Sequence, residues 1–207
     1  MMAERNRNLR KIKKELTEKI LAEKAYELAI EKGMDGFIIE DVVQRSGYSR
    51  RTFANYYSCK EEAVAKAVIT SCKYDRLMDE IKGLPLKASP LEVMYHIAKI
   101  LITEDLILKT NQFVILSRRY SALQPYVLKV IYEAQVNTEH ILNDLFHDRY
   151  STVYIQLLAG VIFAAIIPLF ADKKNLLLPG QDPNGYLNAV LIWEYIDDIF
   201  DYLKTGF

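Results

Sequence analysis

Between Leu21 and Tyr57 the apolar residues follow helical spacing and are interrupted only at glycine-bearing turns, which leaves room for short helices and little else. Ala25, Leu28 and Ala29 follow Leu21 at i+4, i+7 and i+8, and Gly33 stands just past Glu31 and Lys32 as a stop. The spacing predicts a helix that begins near Thr17. Ile39, Val42 and Val43 make the inward face of a second, shorter helix ending at Ser46 and Gly47. Ser49 is placed to cap a third helix over 50–57, and Ser58 with Glu61 has the form of a capping box for a fourth over 60–82.

The same punctuation continues downstream. Gly83, Pro85 and Pro90 break the chain, and Ser89, Pro90 and Glu92 restart a helix in the order cap, first-position proline, acidic first turn. Pro125 opens another helix, whose stripe includes Leu128, Ile131, Ile141, Leu142 and Leu145. An uncharged helix follows over 151–171, then a proline- and glycine-bearing loop over 172–185. The last helix, 186–204, carries Ala189, Ile192, Trp193, Ile196, Ile199, Phe200 and Leu203 at heptad-like spacing. Strand alternation is almost absent and no internal repeat is visible. The expected fold class is all-α.

Charge divides the chain. Lys plus Arg and Asp plus Glu both number 27 over 207 residues, so no whole-molecule basic field attracts a polyanion. Yet residues 1–60 hold 13 basic and 9 acidic side chains, leaving the acidic excess downstream. Arg5, Arg7, Arg10, Lys11, Lys13 and Lys14 face a single acid, Glu4, ahead of the first helix. Such an arm suits a minor groove or a row of phosphates, or stands as a solvated extension. Only Cys59 and Cys72 are present, and the basic N-terminus is no secretory signal, so a reducing cytoplasm is expected. The run from Tyr150 to Ala171 is close to the roughly 20 residues that span a bilayer. It contains Ser151, Thr152, Tyr154, Gln156 and Pro168, and no second span exists elsewhere, which favours a buried helix over a membrane partner.

The segment from Ile39 to Tyr57 carries the clearest chemistry. Two short helices joined at Ser46-Gly47-Tyr48-Ser49 form a helix-turn-helix, whose second helix can enter a major groove. Arg50 and Arg51 lie in its first turn, where free N–H groups and the positive dipole end also favour phosphate. With Ser49 and Thr52 at the cap, and Asn55, Tyr56 and Tyr57 one turn on, they are the candidate DNA-binding residues.

Ala25, Leu28, Glu31-Lys32-Gly33, Glu40-Asp41-Val42, Arg45-Ser46-Gly47-Tyr48-Ser49-Arg50, Thr52-Phe53 and Lys60-Glu61 together resemble the N-terminal DNA-binding domain of the TetR family of transcriptional regulators. The resemblance spans about 45 residues and ends near residue 68. It implies a homodimer with an N-terminal three-helix unit over 1–59 that binds double-stranded operator DNA, and a helical domain over 60–207 that dimerises and binds a small-molecule inducer. It also implies a phosphate contact for Lys60. The sequence departs from the family's pattern at Ala54, where Tyr is usual, at Ile38, where a capping Thr or Ser is common, and at Cys59, where Ser or Asn is usual.

Other chemistry is sparse. No phosphate loop, nucleophile elbow or Cys–His arrangement is present, and neither an enzyme nor a cofactor is expected. His140, Asp144 and His147 share a helical face with Glu139 and Asp148, a spacing that suits zinc but equally an exposed polar face; no metal is assigned. His96 among Met94, Tyr95 and Ile97 reads as a partly buried structural histidine. The two apolar helices 151–171 and 186–204 suit a twofold interface with Gly160, Ala164, Trp193, Ile196 and Phe200 at the seam, with the core of a single subunit as the alternative. Met94, Ile97, Leu101, Phe113, Leu116, Tyr120, Tyr132, Leu158 and Phe163 are the candidate lining of an apolar or aromatic ligand site, residue types that equally make a plain core. The competing readings are a helical metal- or small-molecule-binding protein and a membrane-anchored regulator.

Overall fold

The computed structural model describes residues 2–70, 77, 80–81, 83–84, 87–171, 176–177 and 190–206. Among them the chain is helical apart from turns and one parallel bridge between two-residue strands, β1 (Leu176–Leu177) and β2 (Val190–Leu191). The helices are α1 (Met2–Lys32), α2 (Ile39–Ser46), α3 (Arg50–Ala54), α4 (Lys60–Thr70), α5 (Pro90–Leu101), α6 (Glu104–Arg119), α7 (Gln124–Phe146), α8 (Thr152–Ala171) and α9 (Ile192–Thr205).

Two compact units emerge: Met1–Ser71 with Gln112–Val130, and Cys72–Asn111 with Ile131–Phe207. Their boundaries differ from the division expected between residues 59 and 60. The chain passes between units three times, twice inside a continuous helix, α6 and then α7. The fourth helix, expected over 60–82, is therefore one of three covalent connections between the units.

In the first unit α1 and α4 pack together, burying Leu21, Ala25, Leu28, Ala63, Val64 and Ala67. α1 starts at Met2 rather than near Thr17. Apolar periodicity begins only where packing begins, whereas Arg, Lys and Glu propagate a helix without it. Gly33 ends α1 at φ +72°, and a Cβ there would overlap the Tyr120 hydroxyl. Tyr26 donates to Gln112 Oε1 at 2.8 Å. Residues 112–130 thus complete the first unit through contacts with α1 that no local signal announces.

The second unit is built on Leu77, Val93, Met94, Ile97, Leu142, Ile155, Ile162, Ile192, Ile196 and Phe200. Ser89 caps α5, accepting from the Glu92 N–H at 3.2 Å, and the Glu92 carboxylate accepts from the Ser89 N–H at 2.7 Å. This capping box is the one expected from Ser89, Pro90 and Glu92. α8 turns Ile155, Ala159, Ile162 and Leu169 into the core while Val153 (63% exposed), Leu157 (65%) and Val161 face outward. Its uncharged composition is thus neither a wholly buried helix nor a helix free of the core. α9 begins at Ile192, and the expected residues 186–189 lie outside the described residues, as does most of the loop 172–185.

Candidate DNA-binding face

α2 starts without a side-chain cap. Ile38 occupies the cap position, and the Asp41 carboxylate accepts its N–H at 2.8 Å, supplying the half of the box that an apolar residue leaves open. The helix stops at Gly47, whose φ of +74° is the left-handed turn that a side chain would disfavour. Ser49 Oγ accepts the Thr52 N–H at 3.0 Å and shares a 2.9 Å hydrogen bond with the Thr52 hydroxyl. The two hydroxyls expected to meet DNA are already engaged in starting α3.

α3 is five residues long rather than the eight expected over 50–57. Its inner face is Phe53, 1% exposed, and its outer face carries Arg50, Arg51, Ala54 and Asn55. Arg50 pairs with Glu40 of α2. Arg45 pairs with Glu31 of α1 at 2.7 Å. Tyr56 is half-buried.

Two candidates are turned inward. Tyr57 is 3% exposed and donates its hydroxyl to the Glu18 carbonyl at 2.9 Å, and burial, reinforced by Glu18 and Glu62, pushes its phenol well up. It fastens α3 to α1 instead of reaching a phosphate. The Lys60 ammonium donates to the carbonyls of Met34 at 2.5 Å and Phe37 at 2.8 Å and lies over the Phe37 ring. These bonds close the 34–37 turn onto α4.

The cap of α4 is shifted by one residue. Cys59 Sγ accepts the Glu62 N–H at 3.4 Å, and the Glu62 carboxylate, not that of Glu61, accepts from the Ser58 N–H at 2.9 Å and the Ser58 hydroxyl at 2.7 Å. Lys129 adds an ion pair at 2.9 Å. The Ser58 backbone N–H, then Lys129 and the Ser58 hydroxyl, hold the Glu62 carboxyl at about 2 against an ordinary 4.5. The Cys59 thiol also bonds the Tyr126 hydroxyl at 3.1 Å, which pushes that phenol up to about 12.

A depressed carboxyl stabilises the folded chain above its unfolded value and loses that contribution as pH falls toward the folded one. Glu62→Gln is therefore expected to melt below the parent at pH 7, with the gap closing between about pH 4.5 and pH 2. Thermal melts across that range decide it; a gap that persists at pH 2 would place the effect elsewhere.

The candidate ligand residues divide between the units. Phe113, Leu116 and Tyr120 belong to the first, with Phe113 and Leu116 buried. Met94, Ile97, Leu101, Leu158 and Phe163 join the core of the second, and Tyr132 is 67% exposed.

Two residues of the expected dimer seam lie inside their own chain. Ile196 and Phe200 are fully buried within their own chain, the latter edge-on to Tyr95 at 5.1 Å. Trp193 is half-buried, its ring covered by the Lys99 ammonium at 4.6 Å. Lys99 in turn pairs with Asp197 at 2.7 Å, and Tyr95 donates to the same carboxylate at 2.8 Å. These bonds, that from Lys99 foremost, hold the Asp197 carboxyl below its ordinary range. Gly160 is half-buried and Ala164 exposed, on the outward side of α8. His96 is exposed rather than partly buried, as are His140, Asp144 and His147, and no group of His, Cys, Asp or Glu is arranged to hold a metal among the described residues.

No protein-family model matches the sequence, and no curated protein matches it. Among solved structures, one from Mesorhizobium loti MAFF303099, classed with the TetR family of transcriptional regulators, superposes with a TM-score of 0.52 at 14% identity over 93% of this chain and 95% of that chain. A transcriptional regulator from Rhodococcus sp. Rha1 gives a TM-score of 0.45 at 18% identity over 89% and 91%. The resemblance read from the helix-turn-helix residues thus extends to the whole fold, and the chain has the all-helical fold of a TetR-family transcriptional regulator.

Proposed function

We propose that this chain is a transcriptional regulator that binds palindromic double-stranded operator DNA as a homodimer in the cytoplasm, and that a small apolar or aromatic ligand releases it, as in a repressor. The observation that carries the reading is the outer face of α3. A helix capped by Ser49, anchored through Phe53 and Tyr57, presents Arg50, Arg51 and Asn55 to solvent at the helix-turn-helix. Purified chain used to select fragments from random DNA is expected to enrich a palindrome with half-sites about 34 to 36 Å apart. Recovery of no common sequence would overturn the reading.

The exposed apolar face of α8 supports the dimer and bears on the membrane alternative. Val153, Leu157, Val161 and Ala164 recur at i, i+4, i+8 and i+11, an outward stripe that a second copy would cover. In lipid the opposite face, Ile155, Ala159 and Ile162, would have to leave the core of the second unit. Detergent-free solubility of the chain tests this choice.

Ligand release needs differential affinity for two conformers. α6 and α7 supply the continuity, since each helix begins in one unit and ends in the other. A ligand found by thermal-shift screening is expected to raise the melting temperature and lower operator affinity roughly 5- to 150-fold, and operator to lower ligand affinity by the same factor. Tight binding without any change in operator affinity, across chemically distinct ligands, would leave a regulator that is not inducible.

A further inference from the structure

The two arginines that open α3 are chemically unequal. Arg50, with 73% of its side chain exposed, is paired with the Glu40 carboxylate, which reaches it from the first turn of α2. Arg51 beside it has no acidic partner among the described residues. The neighbouring cations are committed elsewhere: Arg45 to Glu31, Lys60 to the carbonyls of Met34 and Phe37. The Asp41 carboxylate is occupied by the Ile38 N–H.

An exposed ion pair of this kind contributes little to stability, typically about 0 to 1 kcal/mol, so its value to the fold does not account for a carboxylate at this place. Its effect on recognition is larger. A free guanidinium attracts any phosphate, irrespective of sequence. Glu40 cancels that attraction and repels phosphate, yet leaves the remaining donors of the Arg50 fork for neutral acceptors. Guanine N7 and O6 are such acceptors, and the free lone pairs of the carboxylate suit a cytosine N4 amino group. The pair is matched to base edges, whereas unpaired Arg51 is matched to the backbone.

We propose that Glu40 is a positioning residue that makes Arg50 a reader of a G·C base pair, with Arg51 a sequence-independent phosphate contact. The inference rests on the operator-binding reading above. Glu40→Gln in the full chain is expected to bind random DNA more tightly and to lower the ratio of operator to random affinity about tenfold. The enriched sequence should lose its preference at one base pair of each half-site. In an Arg50→Ala background the same change should leave the ratio where Arg50→Ala alone puts it, because Glu40 acts through Arg50. Arg51→Ala should weaken both DNAs alike, keep the ratio, and reduce the salt slope by about 1.8, the share of two phosphate contacts per dimer. Glu40→Asp, which keeps the charge, controls for misfolding, and the melting temperature of each variant should stay at the parent value. An operator-to-random ratio that Glu40→Gln leaves unchanged overturns the role of Glu40 while the operator reading stands; failure of the parent chain to enrich any sequence overturns both.

Discussion

Ile196→Asp is expected to abolish the folded second unit. The side chain is fully buried in the cluster that also holds Ile155, Ile192 and Phe200. Losing a buried isoleucine costs about 1.5 to 3 kcal/mol in transfer alone. The carboxylate adds the larger penalty, since it either remains charged without a partner or takes up a proton to stay inside. Together these approach the whole stability of an ordinary domain, about 5 to 15 kcal/mol. Near-ultraviolet circular dichroism should lose its tertiary signal, and an apolar dye should bind the variant at neutral pH. Ile196→Val, which removes one methyl group, should cost only about 0.5 to 1.5 kcal/mol. A soluble Ile196→Asp chain with an unchanged melting temperature would contradict the burial.

That residue also marks the limit of what the sequence conveys. The spacing of Ile192, Ile196, Phe200 and Leu203 identifies the apolar face of α9, and that face is where expected. Spacing cannot say whether a face is covered by the same chain or by another, because both partners reward the same residues. Ile196 and Phe200 are covered from within, and the uncovered stripe lies on α8, where a lack of charge hid the difference between its two faces. Tyr57 and Lys60 fail for the same reason. Their type and position suit DNA, but Glu18, Met34 and Phe37 take them inward.

Where neighbours in sequence decide the conformation, the reading holds. The stop at Gly33, the turn at Gly47 and the caps at Ser49 and Ser89 each depend on a few contiguous residues. The one-residue shift from Glu61 to Glu62 arises because Cys59 itself takes the cap position, a role for which sulfur is an uncommon acceptor. The membership of 112–130 in the first unit was out of reach, since Tyr26–Gln112 and Glu62–Lys129 are pairings of distant, individually unremarkable residues.

Leu157→Asp should separate dimerisation from folding. The side chain is 65% exposed in the single chain, so an aspartate there meets water in the monomer and changes its stability by little. Across a twofold axis the same substitution places a charge against an apolar stripe, and against its own copy wherever the two positions meet, and burying it unpaired is costly. Light scattering should show a monomer with the melting behaviour of an intact second unit. Operator affinity should fall about 100- to 10,000-fold, the avidity lost when two linked half-site contacts become independent, whereas a single half-site should bind as it does the parent. Glu40, Arg50 and Arg51 are untouched, so preference for the half-site sequence should survive even as affinity falls. A Leu157→Asp chain that remains a dimer with full operator affinity would move the interface off α8, and a parent chain recovered only in detergent, released into buffer by this one charge, would assign the stripe to lipid.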